Sequence, residues 1–441
     1  MTTPTSWIIV GAGSAGSVLA NRLSADPARQ VTLIESGPDL TPGNVPAALS
    51  GPSFVEALAE PGRSYPELTA RRTARGEPSV YQRGRGVGGS SAVNAMVALR
   101  GSADLYRSWG WHDADAAWGR VDIPTEIATD QEIGVINRAL LASDDRTEPM
   151  MLTRRRGRRI TSAEAYLWPV RKRPNLHVLC DAEVEAVVTA NRVARGVRLT
   201  NGTTLKADRV ILAAGAIHSP ALLLRSGIDT AGIGHGLQDH PSAVLTLQLR
   251  TDVAQDTAGL PIATALHAQL RTHLVQLLPL DHLGPDAPGL AALMAALMNP
   301  TGRSGTVTID GNGQPIVDFD LLADDRDLQG LTAATTLAVE ISQRPAFTDV
   351  VEQTFIDDVG TTIDALGNDR AIGLWLRERC GDYVHASSTC AMGTVVGEDG
   401  AVKGYRGLNV CDASVFPTIP DANIHFPTTM LAELLSERMI E

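Results

Sequence analysis

Trp7-Ile8-Ile9-Val10 is apolar at every position, the pattern of a parallel strand covered on both faces. A glycine-rich turn, Gly11-Ala12-Gly13-Ser14-Ala15-Gly16, follows at once. Beyond it Ala15, Val18, Leu19 and Leu23 recur at helical spacing. Val31-Thr32-Leu33-Ile34 then reads as a second strand, with Glu35 at its carboxyl end. Strand, turn, helix and strand make a complete opening βαβ unit.

The pattern then weakens. Residues 37–82 are rich in Pro, Gly and Ser and read as loop with short helices. Thr161-Ser162-Ala163-Glu164 is a capping box that predicts a helix start. Residues 176–190 and 192–199 alternate like antiparallel strands, and residues 209–213 read as another buried strand. A short apolar helix is predicted from Pro220 to Leu224. Residues 244–249 and 272–280 predict strands of a second sheet, and 305–319 a hairpin around Gly311-Asn312-Gly313. Residues 324–344 predict an amphipathic helix and 428–439 a closing one. There is no internal repeat and no low-complexity tail.

Composition narrows the class. A chain of 441 residues with 44% hydrophobic and 20% charged positions is neither disordered nor a coiled coil, and its length suggests two to three domains. A formal charge of −12 argues against nucleic acid or an anionic membrane as partner. Arg154, Arg155, Arg156, Arg158 and Arg159 therefore read as a solvated loop. No apolar run reaches the roughly 18–20 residues of a membrane span. No basic segment with a long apolar run precedes the first strand, so no secretory leader is expected. Four cysteines are too few for a disulfide framework, and the expected setting is a reducing cytoplasm. Cys380, His385 and Cys390 are spaced by five, with Cys411 as a conceivable fourth ligand, but this is not the paired zinc spacing and no metal is expected. No GxSxG elbow appears, which argues against a serine hydrolase.

The glycines carry the first chemistry. Gly11, Gly13 and Gly16 let a pyrophosphate approach backbone N–H groups at a helix N-terminus. Glu35, nineteen residues after Gly16, stands where a carboxylate accepts from a ribose 2′-hydroxyl. A second GxGxxG at Gly84, Gly86 and Gly89 follows Tyr81-Gln82-Arg83 instead of an apolar strand, so it is no second dinucleotide fingerprint. So much glycine suits backbone lying against a flat ligand ring; an ordinary glycine-rich loop also accounts for it. Trp109 and Trp111 read as packing residues, and His240 as a residue that fixes its own loop.

Longer stretches carry a resemblance. Gly84 to Asn94, with Arg100-Gly101 behind, resembles the first signature of the glucose–methanol–choline (GMC) flavin oxidoreductases. Gly215-Ala216-Ile217-His218-Ser219-Pro220 through Ser226-Gly227 resembles the second, with Asp229 where a glycine is usual. Leu237-Gln238-Asp239-His240-Pro241, the segment from Gly157-Arg158-Arg159 to Ala165-Tyr166-Leu167, and the stretch from His385 through Asp412 to Pro427-Thr428 are similar to further family segments.

The resemblance implies an α/β fold. It has a Rossmann-type FAD-binding domain of the GMC and p-hydroxybenzoate-hydroxylase kind, formed by 1–240 and 380–441. A second domain of antiparallel sheet and helices, 241–379, would take the substrate. It implies FAD, with Gly11, Gly13 and Gly16 at the pyrophosphate, Glu35 at the adenosine ribose and the backbone of Val184 at the adenine. Gly89, Ser90, Asn94 and Ala95 would lie beside the flavin, with Asp412 and Ala413 approaching from the C-terminal side. Val93 stands where one family branch carries the histidine that links FAD covalently, so non-covalent FAD is expected. His385 would be the catalytic base and Asn423 its companion, with His425 the weaker candidate two residues on. Ser388 replaces a usual glycine and Ala391 a common arginine, so the turn beside His385 is expected to differ.

The implied reaction is oxidation of a primary or secondary alcohol to a carbonyl. Hydride goes to flavin N5, and FADH2 is reoxidised by oxygen or another acceptor. Relatives that cleave hydroxynitriles, decarboxylate fatty acids or serve a peptide-derived redox carrier supply the alternative readings. The oligomeric state stays open. Residues 111–154 are shorter than the corresponding family segment, which predicts a reduced lid and an open pocket.

Overall fold

The computed structural model describes residues 5–257, 268–272, 274–284 and 287–440. His273, inside the strand expected at 272–280, and part of the expected substrate domain lie outside the described residues.

A five-stranded parallel sheet has the order Leu176–Leu179, Arg29–Ile34, Thr5–Val10, Arg209–Leu212, Leu408–Val410. Trp7 to Val10 is buried in its centre, which is why that stretch has no polar alternation. Helix Ser14–Leu23 buries Val18, Leu19 and Leu23 and packs against the closing helix His425–Arg438. The two ends of the chain thus meet at the glycine turn.

Residues 176–190 are not one antiparallel run. Leu176–Leu179 joins the parallel sheet, and Asp181, at φ +51°, turns the chain into Val184–Ala190. Only the latter pairs antiparallel with Val193–Leu199. The capping box is half made: Thr161 Oγ1 accepts from the Glu164 N–H at 3.1 Å, while the Glu164 carboxylate pairs with Arg158. The turn it opens, Ala163–Leu167, is π-helical.

The helix expected from Pro220 begins at Gly215 and runs to Arg225, with Pro220 inside it. Proline lacks the N–H that would bond the carbonyl of residue 216. Thr389 Oγ1 donates to the Ala216 carbonyl instead, at 2.7 Å, so the helix passes the proline with that acceptor satisfied.

The second sheet is antiparallel, six-stranded, in the order Val351–Phe355, Ser242–Leu249, Leu290–Leu297, Val275–Leu280, Ala268–Arg271, Thr147–Pro149. Leu290–Leu297 has the composition of a helix, Leu-Ala-Ala-Leu-Met-Ala-Ala-Leu, and is not expected as a strand. Its alternation serves two cores. Ala291, Leu293, Ala295 and Leu297 join the core that includes helix Asp325–Ser342, and Ala292, Met294 and Ala296 face Leu278 and Leu280. That helix is capped by Asp324, which accepts from the Arg326 N–H at 2.9 Å.

The predicted hairpin is present, Gly305–Ile309 with Pro315–Asp318. It joins a sheet with His235–Leu237 and with Thr69–Arg71 and Ser79–Val80, two short strands inside the stretch read as loop. Residues 111–154 pack as part of the body. Val135–Ser143 is a helix whose first N–H groups, Ile136 and Asn137, donate to the buried Asp281 carboxylate at 2.6 and 3.2 Å. Thr147–Pro149 edges the second sheet, and Trp111 packs in an aromatic cluster with Tyr106, Trp109 and Phe416. No helix among the described residues is long and apolar enough to cross a membrane.

Candidate active site

A cavity of about 1260 Å³ runs from the glycine turn to the second sheet. That exceeds the roughly 300–1,000 Å³ of a site for one drug-sized ligand and suits a dinucleotide together with a small substrate. Gly11, Gly13, Glu35, Gly89, Ser90, Asn94, Ala95, Val184, Asp412, Ala413, His385 and Asn423 all line it. Gly16 does not. A Cβ there would stand 1.8 Å from the Gly11 carbonyl oxygen, so Gly16 is what lets helix and turn touch. Exposed residues, among them Pro66, Gln82 and Val384, also line the cavity, which therefore opens to solvent.

At the glycine-turn end, helix Ser14–Leu23 has no side-chain cap, which leaves its first N–H groups for an anion. The buried Glu35 carboxylate gathers the surrounding loops. Its Oε2 accepts from the Ala12 N–H at 2.8 Å, and its Oε1 from the Gly37 and Gly86 N–H groups, each at 3.0 Å. Oε2 thus keeps a lone pair, the one a ribose hydroxyl would use. Val184 offers its carbonyl to Arg225 at 3.1 Å, which fixes the strand at this end.

The second glycine stretch packs on the first. A Cβ on Gly89, at φ +50°, would lie 2.7 Å from Gly13 Cα, and the Gly88 N–H donates to the Ala12 carbonyl at 2.9 Å. Contact between two backbones accounts for these glycines, while Ser90, Val93, Asn94 and Ala95 turn to the cavity. Arg159 holds Asn94 by its carbonyl and by Oδ1 at 3.0 Å. The arginine loop is thus not solvated throughout. Arg154 and Arg159 are buried, and Arg154 forks onto Glu132 at 3.0 Å. Asp412 caps helix Gly215–Arg225 from across the fold, accepting from Gly215 N–H at 2.9 Å and Ser219 Oγ at 2.6 Å. These residues fit a flavin dinucleotide: an uncapped helix start, a free carboxylate lone pair, and at Gly215 no atom within 4 Å of where a Cβ would point.

At the other end stands His385, held by its backbone. Its N–H and that of Tyr383 donate to Asp239, as does the Tyr81 hydroxyl at 2.7 Å. Its Nδ1 lies 2.9 Å from Nδ1 of His240, and His240 Nε2 lies 3.0 Å from the Pro420 carbonyl. His240 therefore does more than fix its own loop: it bridges His385 to the segment that carries Asn423. The polar block Gln238-Asp239-His240 between Leu237 and Pro241 is the sequence signal for it. Asn423 Oδ1 has no partner among the described residues. Burial pushes the His240 pKa down to about 3. Burial, then His240 and Arg83, hold His385 well below the usual imidazole value.

His425 also lines the cavity, but at the glycine turn, with Nδ1 3.0 Å from Ser14 Oγ and its pKa lowered to about 4 by burial and Arg159. The cysteines do not gather around His385. Among the described residues, the group close enough to share a cation is Asp239, His240 and His385, and there the two Nδ1 atoms are engaged with each other. Ser388 takes φ +71°, so the turn that a glycine would make survives the substitution. Asp229 is not left-handed; Gly227, at φ +69°, is.

GMC oxidoreductase family models match residues 5–139 and 132–242 at the N-terminal side and 300–432 at the C-terminal side. The chain is 32% identical to 5-(hydroxymethyl)furfural oxidase of Methylovorus sp. strain MP688 over 98% of each sequence. It is 28% identical to the oxygen-dependent choline dehydrogenase of Burkholderia pseudomallei strain K96243, over 98% of this chain and 93% of that one. In fold it is similar to pyridoxine 4-oxidase from Mesorbium loti, with TM-score 0.86, 23% identity and 99% of each chain covered. With matches that reach from the glycine turn to the closing helix, the chain belongs to the GMC oxidoreductase family and is an FAD-dependent oxidoreductase of CH–OH groups.

Proposed function

We propose that the chain oxidises a primary or secondary alcohol to the carbonyl, with non-covalently held FAD and with oxygen or another acceptor taking the electrons. The FAD-binding part would be 1–240 with 380–441, and the substrate part 241–379. Gly11, Gly13 and Glu35 hold the dinucleotide end. Gly89, Ser90, Asn94, Ala95, Asp412 and Ala413 border the ring, with Val184 at the adenine. Bound FAD supplies the acceptor for the hydride.

One observation carries the reading: Nδ1 of His385 lies 2.9 Å from Nδ1 of His240, whose Nε2 lies 3.0 Å from the Pro420 carbonyl. The Pro420 carbonyl can only accept, so His240 carries its proton on Nε2 and, being neutral, presents a bare Nδ1. That lone pair takes the Nδ1 proton of His385, whose own Nε2 is left bare on a ring lining the cavity. A substrate hydroxyl donates to Nε2, and loss of its proton there strengthens hydride donation from carbon. Asn423 holds the oxygen. General-base help of this kind is worth roughly 10²–10⁴ in rate.

Anaerobic titration of the yellow protein with an alcohol panel, then air, tests the reading. Alcohols should bleach the flavin in the dark, and acid precipitation should leave the chromophore in the supernatant. Slow recovery in air would point to an acceptor other than oxygen. His385→Ala should slow bleaching at least about 10²-fold with FAD still bound. His425→Ala, altered at the glycine turn, should do far less.

A further inference from the structure

Resting on the reading that Asn94 borders the flavin ring, we infer that Arg159 is a positioning residue. Its buried charge, set behind Asn94, offsets the negative charge the ring gains on reduction and so raises the potential. Arg159 is fully buried, and only its Nη1 is engaged, with the carbonyl and Oδ1 of Asn94. Nε and Nη2 are buried with no partner among the described residues. Its neighbour Arg154 forks onto Glu132, whereas Glu164, the carboxylate whose field Arg159 feels, forks onto Arg158. Burial pushes the Arg159 pKa down to about 10, which leaves it charged at neutral pH. An uncompensated cation in a dry site is costly, and an anion formed beside it recovers part of that cost.

The charge reaches the cavity through Asn94. Arg159 Nη1 and the Met96 N–H both donate to Asn94 Oδ1, each at 3.0 Å. Two donors on the oxygen fix which way the amide points, and they polarise it. The Nδ2 protons are left unclaimed by the described residues, on a side chain that lines the cavity. The Arg159 field is also felt at His425, which lines the cavity with a buried, unpartnered Nε2. His425 is itself neutral, its pKa lowered to about 4, so the cation on this side is Arg159. Arg83 lines the cavity too, but half-buried at the open end beside Val384, where water screens its charge. Hydride addition at N5 brings two electrons and one proton to an uncharged ring and leaves one negative charge on it. A fixed cation in a dry site stabilises that charge and leaves the neutral ring almost untouched.

The test is the midpoint potential of the FAD-bound enzyme, from anaerobic dithionite titration against a reference dye. Sulfite affinity of the oxidised enzyme is the second readout, since sulfite adds to N5 and leaves the ring negative as a hydride does. Arg159→Met should lower the potential by at least about 30 mV, a tenfold change in a two-electron equilibrium. The sulfite dissociation constant should rise at least about tenfold with it. Arg159→Lys keeps the charge and should recover most of both. Glu164→Gln removes the offsetting carboxylate, keeps the N–H that Thr161 caps, and should move the potential upward. An unchanged potential and sulfite constant in Arg159→Met, or a lysine variant no better than the methionine one, overturns the inference. Where Arg159→Met fails to hold FAD, Glu164→Gln decides, and a potential that stays or falls overturns it. Neither probe is an alcohol, so a flavin that no alcohol bleaches would sink the alcohol reading and leave this test intact.

Discussion

The Nδ1 atoms of His385 and His240 lie 2.9 Å apart, and Nε2 of His240 lies 3.0 Å from the Pro420 carbonyl. In the proposed scheme Pro420 accepts from His240, His240 accepts from His385, and Nε2 of His385, on a ring that lines the cavity, is left to the substrate. His240 is a positioning residue in this scheme, and its removal differs from loss of the base. His240→Phe leaves the Nδ1 proton of His385 unpaired and frees the other tautomer. Flavin reduction should fall roughly 10–100-fold, the worth of the 1–3 kcal/mol for an orphaned buried donor. Asn at 240 can place an acceptor where Nδ1 of His240 stood, so His240→Asn should recover part of the loss. Stopped-flow rates of the two variants check this, since a merely structural role would not be rescued by the smaller side chain. Ser388, two peptide bonds from Ala386, tells the opposite story of a residue the backbone would rather not have. At φ +71° it occupies the region where a side chain costs about 1–3 kcal/mol. Ser388→Gly should raise the melting temperature and leave flavin reduction unchanged.

Elements were legible where one chemical pattern had one cause. The uninterrupted apolar strand, the glycine turn and Glu35 each answer a single demand, and all lie on or beside the cavity. Leu290–Leu297 answers two. It is a central strand covered on both faces, built from helix-forming alanine and leucine, and only its pairing with Ser242–Leu249 and Val275–Leu280 reveals it. The part of helix Gly215–Arg225 that precedes Pro220 was hidden for a related reason, since the donor that replaces the missing N–H comes from Thr389, far along the chain. His240 escaped notice as a site residue because its contact with His385 is with a neighbour 145 positions away. The Thr389 bond is testable at this scale. Thr389→Val keeps the shape but leaves the Ala216 carbonyl without its donor. It should cost about 1–3 kcal/mol of stability, seen as a lower denaturation midpoint. Thr389→Ser should retain the bond and most of the stability.

The whole molecule keeps its base neutral by the same means that make it sensitive to acid. His218, His240 and His425 are held at about 4, 3 and 4 by burial, and His385 is lowered as well. Between those values and the unfolded value near 6.5, the unfolded chain binds protons that the folded chain refuses, so these groups make stability fall as pH falls. Buried carboxyls act the other way. Asp239 and Asp281, raised to about 7 and about 6 chiefly by burial, keep their protons in the folded state and gain stability on acidification through the same window. The bulk melting curve therefore hides the histidines, and a single variant exposes them. His218 packs on Tyr65 with ring centroids 4.7 Å apart, and its Nε2 has no partner among the described residues. His218→Phe keeps a ring on Tyr65 and removes one titration. At pH 7.5 the variant should already be the more stable, since it removes a buried nitrogen that has no partner among the described residues. At pH 5 the gap should be wider by about 2 kcal/mol, since each pH unit below 6.5 is worth about 1.4 kcal/mol for one imidazole kept neutral. An equal gap between the two proteins at both pH values would mean that His218 titrates alike in the folded and unfolded chains and that the fold does not hold it neutral.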